Sequence, residues 1–263
     1  MLLLGAALGV GGQFASAQVR DARTRSELER SLMAERDLAA FRLEVASKEA
    51  KRVSDGYTVG TLPKQALRDA EASKRALEVA VQRIELDLAE VRSSTAAPRN
   101  ELWAPNVSGR DFVKERLQLE ASLAQERNYA AERNLMEVER RQKLGLESTG
   151  TLLDAQQRVA DAQRDLGIVA VELMLRDKQR AEGLEPEAIT RERQRRQMEI
   201  EVRRATQLLS MSRTRLATAD KAFKLGSITE LDLKRAQLET LERETMLRRM
   251  QVEMQRTTGK EEL

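Results

Sequence analysis

The side chains in this sequence that could do chemistry are carboxylates, guanidiniums and hydroxyls. There are 43 Asp and Glu against 46 Lys and Arg, and there is neither His nor Cys. Imidazole acid–base catalysis, thiolate nucleophiles, disulfides, zinc–thiolate centres and haem ligation by these residues are thereby excluded. Paired carboxylates could do acid–base work. Acidic residues are so frequent, however, that chance pairs at helical spacing abound, and none stands beside a glycine-rich strand turn or a nucleophile. Gly145 and Gly150 carry the four-residue gap of a phosphate loop but lack the Lys-Ser/Thr pair that must follow. Arg191, Arg193, Arg195, Arg196, Arg203 and Arg204 form a basic cluster that could touch nucleic acid or anionic lipid. Glu192, Glu199 and Glu201 are interleaved with it, and helical spacing sets opposite charges side by side. The cluster reads as a solvated coiled-coil flank, and a net charge of only +3 gives no nucleic-acid signal. No enzyme, cofactor, metal site or nucleic-acid partner is expected.

The informative spacing is a short pattern that occurs three times. An apolar residue precedes a glycine: Val59 and Gly60, Leu144 and Gly145, Leu225 and Gly226. A leucine follows seven residues after that glycine (Leu67, Leu152, Leu233) and an alanine ten after it (Ala70, Ala155, Ala236). Repetition at a near-constant period marks one supersecondary unit per copy. A long charged helical pattern lies on each side of each copy. Glycine tolerates the positive φ found just past a helix end. Thr61, Ser148, Thr149, Ser227 and Thr229 suit the N-cap of a following helix, and Pro63 suits its first turn. Each copy is therefore read as the tip of an antiparallel helical hairpin.

Composition agrees with long helices packed on narrow apolar stripes: aromatics are 3% and charged residues 34%. On the first arm Leu28, Leu32, Leu38, Phe41, Val45 and Val53 supply the expected apolar face. Its return arm carries Ala66, Ala70, Ser73, Leu77, Val81, Ile84, Leu88 and Val91. The cleanest seam is Leu152, Ala155, Val159, Ala162, Leu166, Val169 and Leu173, with steps alternating three and four. A further seam runs through Met198, Val202, Ala205, Leu209, Ser212, Leu216, Ala219 and Phe223. The nearly all-apolar run Ile168 to Leu175 implies a helix covered on more than one side. Turn chemistry breaks the chain near Ser93–Gly109, where Trp103 is expected to pack over a helix end. Gly183 to Pro186 breaks it again. The organisation expected is a signal peptide over 1–17, hairpins over 18–92, 111–182 and 187–257, linkers over 93–110 and 183–186, and a tail over 258–263. The leader rests on the uncharged apolar run Leu2 to Gly12 and on small residues at Ala15 and Ala17 before Gln18.

The tips carry a resemblance. Tyr57, Gly60 and Thr61 followed by Leu67, Ala70 and Leu77 resemble the tip repeat of TolC-type outer-membrane efflux proteins. So do Gly150 to Gln156, and Phe223, Gly226 and Ser227 followed by Glu230 to Leu233, Ala236 and Gln237. The resemblance implies a coiled-coil hairpin whose glycine turn lies at the periplasmic end and meets the hairpin tip of an adaptor protein. On that basis Gly60, Thr61, Gly145, Gly150, Thr151, Gly226 and Ser227 are candidate partner-contact positions. The resemblance covers the hairpins and not a pore, because the linkers are too short and turn-rich for paired membrane strands. Gly226 to Leu231 is also similar to the α-hairpin turn of periplasmic adaptor proteins.

The expected fold is all-α, with three tandem antiparallel long helical hairpins packed as a coiled coil or elongated bundle. The expected function is protein–protein interaction in the cell envelope, exported to the periplasm or associated with the outer membrane. The partner implied by the resemblance is a periplasmic adaptor; self-association is the other partner considered, and no membrane span of its own is expected. The alternative is a periplasmic structural scaffold without a transport role.

Overall fold

The computed structural model describes residues 11–94 and 96–258, with side chains described over 25–94 and 96–256. Most of the expected leader, and the tail beyond residue 258, lie outside the described residues. Among the described residues there are six helices: α1 (Gly11–Thr58), α2 (Lys64–Ser94), α3 (Phe112–Lys143), α4 (Thr149–Glu182), α5 (Pro186–Lys224) and α6 (Glu230–Thr258). No strand occurs among them beyond a single bridge between Val107 and Arg110. The protein is all-α and built from helical hairpins. It divides into two compact units, one ending at Leu119 and the other starting at Glu120.

In the first unit α1 packs against α2. Leu32, Leu88 and Val91 form a buried cluster with Leu28 and Ile84 leaning on it. Arg92 ties the same region together, bonding Glu29 at 2.6 Å. The α1 seam continues through Ala39, Ala50 and Val53, all buried. Leu38, Phe41 and Val45, expected on this face, are instead 51%, 63% and 53% exposed. The physical reason is size: alanines let two helices approach closely, so the stripe that carries them faces α2. The larger side chains form a second stripe on the opposite side.

The linker between α2 and α3 is pinned by ions rather than by its tryptophan. Trp103 is 40% exposed, and the neighbours Leu102 and Ala104 are buried in its place. Asp111 caps α3, accepting from the Lys114 N–H at 2.9 Å. One turn further on, the buried Arg116 bonds Asp87 at 2.8 Å and Glu90 at 2.7 Å, and also donates to the Arg99 carbonyl. Glu90 accepts the Arg99 N–H in return, at 3.2 Å. Burial pushes the Asp87 carboxyl up from its ordinary value, and the Arg116 charge partly offsets this. A buried charge set of this kind is costly unless every member is paired, so removing one partner is the damaging change.

In the second unit α5 packs against both α4 and α6. Arg215 with Asp154 (2.6 Å), Arg204 with Asp161 (2.7 Å) and Arg164 with Glu201 (2.5 Å) fix the antiparallel register of α4 and α5. At their crossing Ile200 leans on Gly167, where an added Cβ would sit 3.2 Å from Ile200 Cδ1. Ala205, Leu209 and Ser212 of the expected α5 seam are buried. Ser212 also bonds Thr240 of α6 at 3.3 Å, so two small polar residues mark the α5–α6 contact. Near the α4–α5 reversal Leu175 and Ile189 are fully buried; each such burial contributes about 2 kcal/mol. The apolar run before it is covered less completely than expected, since Ala170 and Met174 are exposed.

Candidate functional site

The three tips share one backbone device. α1 ends at Thr58 and Gly60 takes a left-handed φ of 77°. Its N–H donates to the Tyr57 carbonyl at 3.0 Å, while the N–H groups of Thr61 and Leu62 converge on the Gly56 carbonyl at 2.9 and 3.2 Å. The Thr61 hydroxyl donates to the same carbonyl at 2.9 Å. Thr61 therefore closes α1 and does not serve as the expected N-cap of α2. Gly56 is small because Leu62 folds over it: a Cβ there would lie 2.7 Å from Leu62 Cδ1.

At the second tip Gly145 has φ 71°, and the Leu146 N–H reaches back to the Arg141 carbonyl at 2.9 Å. Ser148 caps α4 and accepts the Thr151 N–H at 3.1 Å. Gly150 sits in the first turn of α4, outside the reversal, and a Cβ there would make only ordinary contact with Ser148 at 3.5 Å. At the third tip Gly226 has φ 69°, and the Ser227 N–H reaches back to the Ala222 carbonyl at 2.9 Å. Thr229 and Asp232 then cap α6 reciprocally. The Thr229 hydroxyl donates to Asp232 at 2.6 Å, and the Asp232 N–H donates to Thr229 Oγ1 at 3.2 Å. The hydrogen bonds from Thr229 hold the exposed Asp232 carboxyl below its ordinary value.

Closing each turn uses backbone groups and short polar side chains, yet each tip also presents large apolar ones. The residue before each glycine is 73% exposed at Val59, 66% at Leu144 and 81% at Leu225. Tyr57, Leu146, Phe223 and Leu231 are exposed around them. The register of α4 against α5 places the second and third tips at the same end of the second unit. Asp154, near the start of α4, meets Arg215, near the end of α5. The two reversals lie within about one helical turn of each other along the axis.

The basic cluster on α5 is engaged with carboxylates. Arg195 bonds Glu192 with two hydrogen bonds of 2.8 Å, Arg196 bonds it at 2.9 Å, and Arg193 pairs with Glu172 of α4. Burial acts to raise the Glu192 carboxyl, but the hydrogen bonds from Arg196 and Arg195 outweigh it and hold it below its ordinary value. Sequence spacing pointed at the tip glycines and hydroxyls, and at the apolar residues just before the glycines. It gave no sign of the Arg116 cluster, whose partners lie 26 and 29 residues away, nor of the cap made by Asp232.

Among the described residues no helix is long and apolar enough to cross a membrane. Compared with models of known protein families, with curated proteins and with solved structures, the chain matches none.

Proposed function

We propose that this chain is an exported coiled-coil protein of the cell envelope that works by protein–protein contact through its hairpin tips. Its setting is an efflux assembly or the neighbourhood of one, and its partner is a periplasmic adaptor. The observation that carries the contact reading is the exposed aliphatic residue before the left-handed glycine at all three reversals. Apolar groups held in water at repeated, equivalent positions are what a docking surface presents. The efflux setting rests on the resemblance of the tip pattern, and export rests on the apolar run at the N-terminus.

The test is the combined variant Val59→Glu, Leu144→Glu and Leu225→Glu, assayed for binding to the purified adaptors of the same cell. The proposal expects binding to be lost with the melting temperature unchanged. Binding that survives these changes but is abolished by seam substitutions such as Leu209→Asp supports the scaffold reading instead.

A further inference from the structure

The two helices at the ends of the chain are two-faced. α1 uses Leu32, Ala39, Ala50 and Val53 against α2, and on its opposite side exposes Ala34, Leu38, Phe41 and Val45. α6 buries Thr240 against α5, and on its opposite side exposes Leu238, Leu241 and Val252. The α1 stripe keeps the three-and-four spacing of a coiled-coil seam, and the α6 stripe keeps it with Thr245 and Arg248 filling the positions between Leu241 and Val252. We infer that they are the two halves of one antiparallel seam between copies of this chain, α1 of one copy lying on α6 of the next.

Charge selects this occupant. Beside the α1 stripe, at intervals of seven, stand Glu35, Arg42 and Glu49; beside the α6 stripe stand Arg235, Glu242 and Arg249. All six are exposed. In an antiparallel pair the same edges of the two helices meet, so Glu35 faces Arg249, Arg42 faces Glu242 and Glu49 faces Arg235. Glu49 and Arg235 are each also paired within their own copy, with Arg52 at 2.7 Å and Asp232 at 3.4 Å. The same register sets Val45 on Leu241, Phe41 on Thr245 and Ala34 on Val252. Leu38 and Leu238 are covered by the aliphatic stems of Arg248 and Lys48. On the other edge Glu44 meets Glu244, but each is already paired within its own copy, with Lys48 at 2.6 Å and Arg213 at 2.7 Å. This register also brings Gly60 of one copy level with Gly226 of the next, so tips from neighbouring copies line up. The flanking charges alone set that alignment. The two stripes are different surfaces, so each contact joins α1 of one copy to α6 of another.

The sequence has no cysteine, which makes disulfide mapping clean. Full chains carrying Val45→Cys and Leu241→Cys, distinguished by a size tag, are mixed and mildly oxidised. A mixed-chain disulfide is expected, with little from the out-of-register pair Val45→Cys and Val252→Cys. Equal yields from both pairs, no mixed product, or a disulfide that closes only within a chain bearing both in-register cysteines each overturn the inference. In sedimentation, Arg42→Glu is expected to weaken association several-fold, and adding Glu242→Arg to restore it. Association unchanged by Arg42→Glu, or not restored in the pair, also overturns it.

Discussion

The helix α5 is reversed at both of its ends, and the two reversals share a left-handed glycine but not its surroundings. At its start Gly183 takes φ 66° and its N–H bonds the Gln179 carbonyl at 2.9 Å. At its end Gly226 takes φ 69°, but its N–H bonds the Phe223 carbonyl at 2.9 Å and the Ser227 N–H reaches back to the Ala222 carbonyl at 2.9 Å. The left-handed glycine is common to both reversals, while the hydrogen bonds around it differ. Around the first reversal Leu184 is half-buried and Ile189 and Leu175 are fully buried. Around the second, Phe223, Leu225 and Leu231 are exposed. A left-handed glycine therefore turns this chain without needing an apolar side chain in water. The apolar residues at the tip are surplus to folding, and that surplus is what the contact reading uses.

The largest effect should come from making the same substitution at both ends. Ile189→Asp places an unpaired charge in a fully buried site and is expected to cost about 4 kcal/mol. Leu225→Asp at the exposed tip should change stability by less than about 0.5 kcal/mol. Equal losses in thermal melts would break the contrast. Leu166, half-buried within α4, should fall between the two when changed to Asp.

A second contrast sets a buried ion cluster against an exposed pair. Arg116→Ala leaves the buried Glu90 without its strongest partner and should cost about 3 kcal/mol in denaturant unfolding of the first unit. Lys234→Ala, in the exposed pair with Glu230, should cost under about 1 kcal/mol. Next in size, Gly183→Ala and Gly226→Ala should cost about 1–2 kcal/mol each, and equally, because nothing crowds either Cβ and only φ opposes the change. Unequal costs would mean that something besides φ opposes the change at one of them.

The smallest expected effect is that of pH. The Asp232 carboxyl has its folded-state value lowered. Its contribution is therefore present above the ordinary aspartate value and lost as pH falls through that value toward the folded one. Acidification below about pH 4 should speed amide exchange at Leu231–Leu233. The start of α5 should not respond in this way, because Glu185 makes no side-chain cap bond there.

Most of the helical plan was legible because three tip patterns and the 3–4 spacing report local physics. The α5 seam through Ala205, Leu209 and Ser212 was readable for that reason. α1 was misjudged because it carries two stripes, and size drew attention to Phe41 and Val45 while the close-packing alanines took the interface. Beside Trp103, which is 40% exposed, the small Ala104 is buried. Arg116 was invisible because the cluster it completes is assembled across the linker, and no sequence period reports that. At the tips the glycine conformations were legible from the residues alone. The exclusion of Gly150 from the reversal was not, since two glycines in one copy could each have been the turn.

The most direct test of the contact reading is site-specific photo-crosslinking in the native cell envelope, with the photoreactive residue at Leu225 in one strain and at Leu184 in another. The prediction is a defined cross-link from Leu225 to a periplasmic adaptor, identified by mass spectrometry, and none from Leu184. Folded, exported protein that gives no cross-link at Leu225, or gives the same products from both positions, would contradict the account.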